Sequence, residues 1–168
     1  MNHILAVLAL LGFSLSAAVH VASLAGVDVS QRFPLVWLLH VGVFVVFIPF
    51  ILSSRRVLGA KPISKMRALV PNSVFLIGAA IFIYAMLNFA LFILSTQGGS
   101  PSIQEGKYVL QNHGRVVREI TEAEYVAFRA NELRGFSGHW LVFYFVPLAY
   151  FMFARRKTDK LDQEVIER

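Results

Sequence analysis

The chain has no cysteine, so neither disulfides nor thiolate metal sites are available to it. Charge is scarce, and where it is missing matters more than how much there is. Residues 1–27, 33–54, 68–104 and 135–154 hold no Asp, Glu, Lys or Arg at all. Of the 168 residues, 15% are charged and 57% hydrophobic, against about 25% and 45–50% in soluble domains. A soluble hydrophobic core is excluded by these proportions. The apolar runs lack strand-like alternation, which excludes a membrane barrel. There is no internal repeat, no heptad pattern, no phosphate loop and no pair of carboxylates at catalytic spacing.

Each uncharged stretch is long enough to cross a bilayer core of about 30 Å, which takes roughly 20 helical residues. Lipid offers the backbone no hydrogen-bond partners, so the spans must be helices. The expected fold is all-α integral membrane: a four-transmembrane-helix bundle with a small extracytoplasmic β-hairpin plus helix insert between helices 3 and 4. Residues 1–94 carry helices 1–3, with a basic cytoplasmic loop at 53–70. The insert occupies 95–134, the fourth helix 135–154 and a cytoplasmic tail 155–168. The first span resembles a signal peptide at residues 4–13. Its leading segment lacks Lys and Arg, however, and the apolar run continues to Val27, so retention as a helix is expected.

Charge sets the orientation. Arg55, Arg56, Lys61, Lys65 and Arg67 share one short loop without an acid, and Arg155-Arg156-Lys157 opens the tail. The positive-inside rule assigns both to the cytoplasm, together with both termini. Cytoplasmic segments then hold 10 Lys+Arg and 4 Asp+Glu, while the opposite side holds 6 of each. The whole formal charge of +6 is therefore a consequence of topology, which argues against nucleic-acid binding. The five loop cations are placed to meet anionic lipid head groups. The lack of cysteine, and of Asn-x-Ser/Thr in the outer segments, fits a bacterial inner membrane.

In the first helix, Ser14, Ala18, Ala22 and Gly26 form a small-residue row at four-residue spacing, beside a second row of Gly12, Ser16 and His20. Such rows let helix backbones approach closely in lipid. The spacing predicts that the first row is a helix–helix contact and that this helix is the central packing element. Trp37 and Trp140 are expected in an interfacial aromatic belt, and Pro147 is expected to kink the fourth helix. In the insert, Gln97-Gly98-Gly99-Ser100-Pro101-Ser102 reads as a flexible linker. Segments 107–111 and 115–120 read as strands joined by a three-residue turn, Asn112-His113-Gly114. Thr121-Glu122-Ala123-Glu124 is a capping box, and the helix it opens is expected to stop at Gly135. About 40 residues without a disulfide or metal do not usually fold alone, so the insert must lean on the bundle, a second copy or a partner.

Counting about 1.5 Å per residue, His20 and His40 lie about 9 Å below the outer helix ends and Asn88 about 10 Å, with His139 near the top of the fourth helix. Polar side chains in lipid face the bundle interior and often mark function. One reading has them satisfy each other, or Ser16, Ser23 and Tyr84. Another has His20 and His40 hold a haem axially. A third has His20, His40 and His139 hold a metal. Gly135-Phe136-Ser137-Gly138 resembles, over four residues, the Gly-x-Ser-Gly of rhomboid intramembrane proteases. That resemblance implies a serine nucleophile paired with a membrane histidine. Helix punctuation accounts for the same residues, with Gly135 ending one helix and Ser137 capping the next.

The resulting functional reading is a small non-enzymatic membrane protein. It would be an accessory or interaction subunit that recognises a protein partner, or its own copy, through the insert. The alternative is a haem- or metal-binding redox component using His20 and His40. A small channel or transporter comes third, disfavoured because no span carries a charge.

Overall fold

The structure, a computed structural model, describes residues 2–154 except the side chain of Arg56; the basic tail at 155–168 lies outside the described residues. In chain order it has α1 (Asn2–Leu24), a short α2 (Val29–Arg32), a 3-10 turn (Pro34–Trp37), α3 (Leu38–Leu58), α4 (Pro62–Leu69) and α5 (Asn72–Ser95). Strands β1 (Ser100–Gln104), β2 (Lys107–Asn112) and β3 (Arg115–Glu119) follow. The chain then enters α6 (Glu122–Ala149) and ends in a π-helical turn (Tyr150–Ala154). Four helical segments are long and apolar enough to cross a membrane: Asn2–Leu24, Pro34–Arg55, Asn72–Ser95 and Glu122–Ala154.

The hub is α6, not α1. α1, α3 and α5 each pack against it, and 56% of its apolar window is buried, against 22%, 22% and 11% for the other three. α1 meets it through Ala9, Gly12, Ser16, His20 and Ser23, all buried. The row Ser14/Ala18/Ala22/Gly26, anticipated as the contact, faces outward, with Ser14, Ala18 and Gly26 exposed. Tyr144 selects the other row. A Cβ on Gly12 would overlap its ring, and one on Gly42 of α3 would come within 2.5 Å of its hydroxyl. Tyr144 thus wedges between α1 and α3, and its hydroxyl donates to the Leu39 carbonyl at 2.7 Å.

α6 also overturns the expected break at Gly135. The helix runs unbroken from the insert into the bundle. Gly135 is a packing glycine: a Cβ there would lie 2.6 Å from Cγ of Phe92 on α5. Nor does Ser137 cap a helix, since its hydroxyl turns back to the Arg134 carbonyl at 3.3 Å. At about 1.5 Å per residue, the 33 residues of Glu122–Ala154 exceed a bilayer core by several turns, so the start of α6 serves as a stem for the insert. Pro147 removes one backbone donor, and the helix widens into its π turn just beyond. Trp140 is 1% exposed, in the bundle core and not in a belt.

The insert is a three-stranded antiparallel sheet in the order β1-β2-β3. The expected linker supplies β1, which pairs Ser100 with Gln111 and Gln104 with Lys107. Its Pro101 is tolerated on an edge strand. The β1–β2 turn is Glu105-Gly106, with φ of 49° and 78°. The β2–β3 turn is shorter than expected. Asn112 pairs with Arg115, leaving His113-Gly114 at 49° and 81°, a two-residue turn with both residues left-handed. The capping box forms, Glu124 N–H donating to the Thr121 hydroxyl and Thr121 N–H to the Glu124 carboxylate. Leu110, Ile120 and Phe128 bury together, flanked by Tyr108 and Tyr125. The insert therefore borrows its core from the α6 stem, the support that so short a segment requires. Arg129 of the stem also donates to Ser30 on α2 at 3.1 Å and faces Asp28 at 3.7 Å. At the opposite end of the bundle α4 runs through the basic loop, with Arg55, Lys61, Lys65 and Arg67 exposed.

Candidate functional site

His20, His40 and Asn88 all meet α6 between Arg134 and Trp140, the stretch that carries His139. Their contacts fall within two turns of that helix. The four residues nevertheless divide into two unlike sites.

The first lies where α1, α5 and α6 meet. The imidazole of His20, 3% exposed, is bonded at both ends, Nδ1 to Ser137 Oγ at 2.8 Å and Nε2 to Tyr84 Oη at 2.6 Å. Ser137 donates onward to the Arg134 carbonyl, so Nδ1–H donates to Ser137 and Nε2 accepts from the tyrosine. Asn88 Nδ2 donates to the same Arg134 carbonyl at 3.1 Å. Gly138 leaves room for this, since a Cβ there would overlap the Asn88 amide. Serine against imidazole is the composition of a hydrolytic dyad. Here the hydroxyl is fully buried and its proton is directed away from the imidazole, towards a carbonyl. Beside this cluster Nε and Nη2 of Arg134 find no hydrogen-bond partner among the described residues, nor does Ser16 Oγ.

The second site is on another face of α6. α3 and α5 flank that face with a cavity of about 470 Å³ between them, walled by Phe44, Phe47, Phe89, Phe92, Phe136, Trp140 and Phe143. His40 lines it from α3 and His139 from α6. The Trp140 indole N–H donates to His40 Nδ1 at 3.0 Å. His139 Nδ1 lies 2.9 Å from the Gly135 carbonyl, an oxygen that can only accept. Rings pack against both imidazoles: Phe44 and Phe136 stand edge-on to the exposed His40, and Phe89 to His139 at 4.8 Å.

His20 and His40, paired in the haem reading, thus engage different faces of α6 and different partners. His20 has no ring nitrogen uncommitted. No three His, Asp or Glu side chains converge among the described residues in a way that would hold a metal ion. Tyr84 was legible as a possible partner for a membrane histidine. Trp140 and Ser137, the actual partners of His40 and His20, look from sequence like a belt residue and a cap. Their spacing of three residues puts them on adjoining faces of one helix, and recognising this required α6 to be continuous. Of the five loop cations, Arg67 lies 6.0 Å from the Phe75 ring. No family model, no curated protein and no solved structure matches this chain.

Proposed function

We propose that the chain is an integral protein of the bacterial inner membrane whose insert is a docking surface for another polypeptide. Its four long helices would span the bilayer, with both termini and the basic loop in the cytoplasm. The protein would act as a non-enzymatic accessory subunit, and the insert would face outward to meet its partner. One observation carries the reading. β3 buries no residue, and Val116 and Val117, on opposite faces of the strand, are 50% and 52% exposed. β1 and β2 rest on α6; β3, tied to α6 through Arg118 and Glu124 at 2.9 Å, is the far edge, and its outer backbone N–H and C=O groups have no strand partner among the described residues. Exposed edges invite strand addition and are normally shielded. Adjacent exposed β-branched residues add affinity for a partner strand.

A photo-crosslinking residue at Val117 should yield one discrete adduct in intact cells, abolished by Val116→Asp. A smear, or no adduct, would defeat the docking role. Topology is testable because the chain lacks cysteine. Cysteine introduced at Ser100 should react with an impermeant reagent in intact cells, and cysteine at Ser64 should not; the reverse pattern inverts the orientation. A fluorophosphonate probe should leave Ser137 unlabelled. Labelling that vanishes in Ser137→Ala would replace this reading with a hydrolase.

A further inference from the structure

The two histidines that line the aromatic cavity have opposite hydrogen-bonding characters at their free nitrogens. A neutral imidazole carries one proton, and the bond at one nitrogen decides where that proton sits. His40 Nδ1 accepts the Trp140 N–H, so its proton is on Nε2, a donor. His139 Nδ1 faces a carbonyl and must carry the proton, so its Nε2 is a bare acceptor. Neither Nε2 makes a hydrogen bond among the described residues. The apolar cavity is thus lined by one imidazole with an uncommitted donor, the exposed His40 on α3, and one with an uncommitted acceptor, the half-buried His139 on α6. The larger cavity between α1 and α3, about 540 Å³, has no imidazole, so the pair is not a by-product of loose packing.

We propose that this cavity binds a lipid-soluble quinol. The ligand needs a flat ring to lie among phenylalanines, an oxygen at each end, and a tail compatible with lipid. Phe44 and Phe89, on opposite lips, are 54% and 42% exposed, so the mouth opens sideways between α3 and α5, where a tail can leave. The volume lies within the range of about 300–1,000 Å³ usual for small-molecule sites. One quinol hydroxyl donates to His139 Nε2, and the opposite ring oxygen accepts from His40 Nε2–H. A quinone has oxygens that only accept, so it keeps the His40 bond and loses the His139 bond. The site thus distinguishes the reduced from the oxidised ligand by the protonation of its own two walls. Binding alone is proposed, with no electron transfer. It depends on the helices lying in lipid but not on the docking role of β3.

The test uses purified protein in nanodiscs with a decyl-tailed benzoquinone and, anaerobically, its quinol. Bound ligand is measured by extraction and by the shift in melting temperature. Saturable binding is expected, with the quinol about tenfold tighter, the equivalent of one hydrogen bond. His139→Phe should bring the two affinities together by weakening only the quinol, and His40→Phe should weaken both forms alike. Val43→Phe, which fills the cavity and leaves both imidazoles, should abolish binding and serves if a histidine variant fails to fold. Absence of saturable binding overturns the proposal. Equal affinity for the two forms, or a preference that survives His139→Phe, also overturns it and leaves an ordinary acyl-chain groove.

Discussion

On one face of α6, His20 commits both ring nitrogens to the protein, to Ser137 and Tyr84. On another face, His40 and His139 commit one nitrogen each, leave the second uncommitted and line a cavity. Burying polar groups is tolerable when they are bonded and costly when they are not. The closed histidine is therefore accounted for by folding alone: it ties α1 to α5 and α6 where apolar surfaces would slide. The open pair is not sealed in the same way: His40 is exposed and His139 half-buried, so each can keep one nitrogen free. A spare donor on the exposed His40 and a spare acceptor on the half-buried His139, both lining one aromatic hollow, suit a ligand that enters it. Residue type does not separate these roles; the state of the second ring nitrogen does.

The sharpest way to break this comparison is to disturb the wedge that sets the spacing of the closed face. Gly12→Val puts a branched side chain into the Tyr144 ring, which cannot retreat without breaking its bond to Leu39. We expect a loss of about 3 kcal/mol, the upper end for overpacking, seen as a lower melting temperature in detergent. A small loss would mean that α1 is not held against Tyr144. Next in size is His20→Leu, which strips partners from Tyr84 and Ser137. Two interhelical bonds at roughly 0.6–1.7 kcal/mol each predict a loss of about 2 kcal/mol. His20→Gln, which keeps a polar group, should lose less than half of that. Equal damage from both, accompanied by loss of a bound chromophore or metal, would return His20 to the role of ligand.

The sequence made the four long apolar helices and the capping box legible, because each rests on local physics: hydropathy and a short-range hydrogen bond. It misled where one residue type serves two purposes. Gly135 reads as a helix stop until the Phe92 ring is known to lie over it. Ser100-Pro101-Ser102 reads as a linker because proline weakens strands, and the Glu105-Gly106 turn that makes it one was the signal overlooked. Ser137 and Trp140 could be assigned to adjoining faces only once α6 was continuous. The cavity was beyond reach, since a hollow is defined by what neighbouring helices fail to fill.

A third perturbation, opposite in sign, probes the weak point of the closed face. Nε and Nη2 of Arg134 are buried and unbonded among the described residues, and an unmet charged donor costs more than an apolar replacement of similar length. Arg134→Met should raise stability by about 1 kcal/mol. A fall instead would mean that the guanidinium meets an anion, such as a lipid phosphate, in the membrane.

The smallest expected effect decides between the two small-residue rows of α1. Ala18 belongs to the row with the better four-residue spacing, yet its side chain is exposed, whereas Gly12 and Ser16 one stripe away are buried. Periodicity identifies that a helix has a close-packing face but cannot choose between adjacent stripes; the bulk of the partner chooses, and here the partner is a tyrosine ring. Ala18→Leu adds three carbons to an apolar outward surface, where a lipid-like surround accepts them, so the melting temperature should move by the equivalent of less than about 0.5 kcal/mol. Measured beside Gly12→Val in the same detergent, this forms a contrast that global instability cannot imitate. A loss for Ala18→Leu comparable to that for Gly12→Val would show that the outward stripe is covered, and a second copy of the chain would then be the first occupant to seek there by crosslinking.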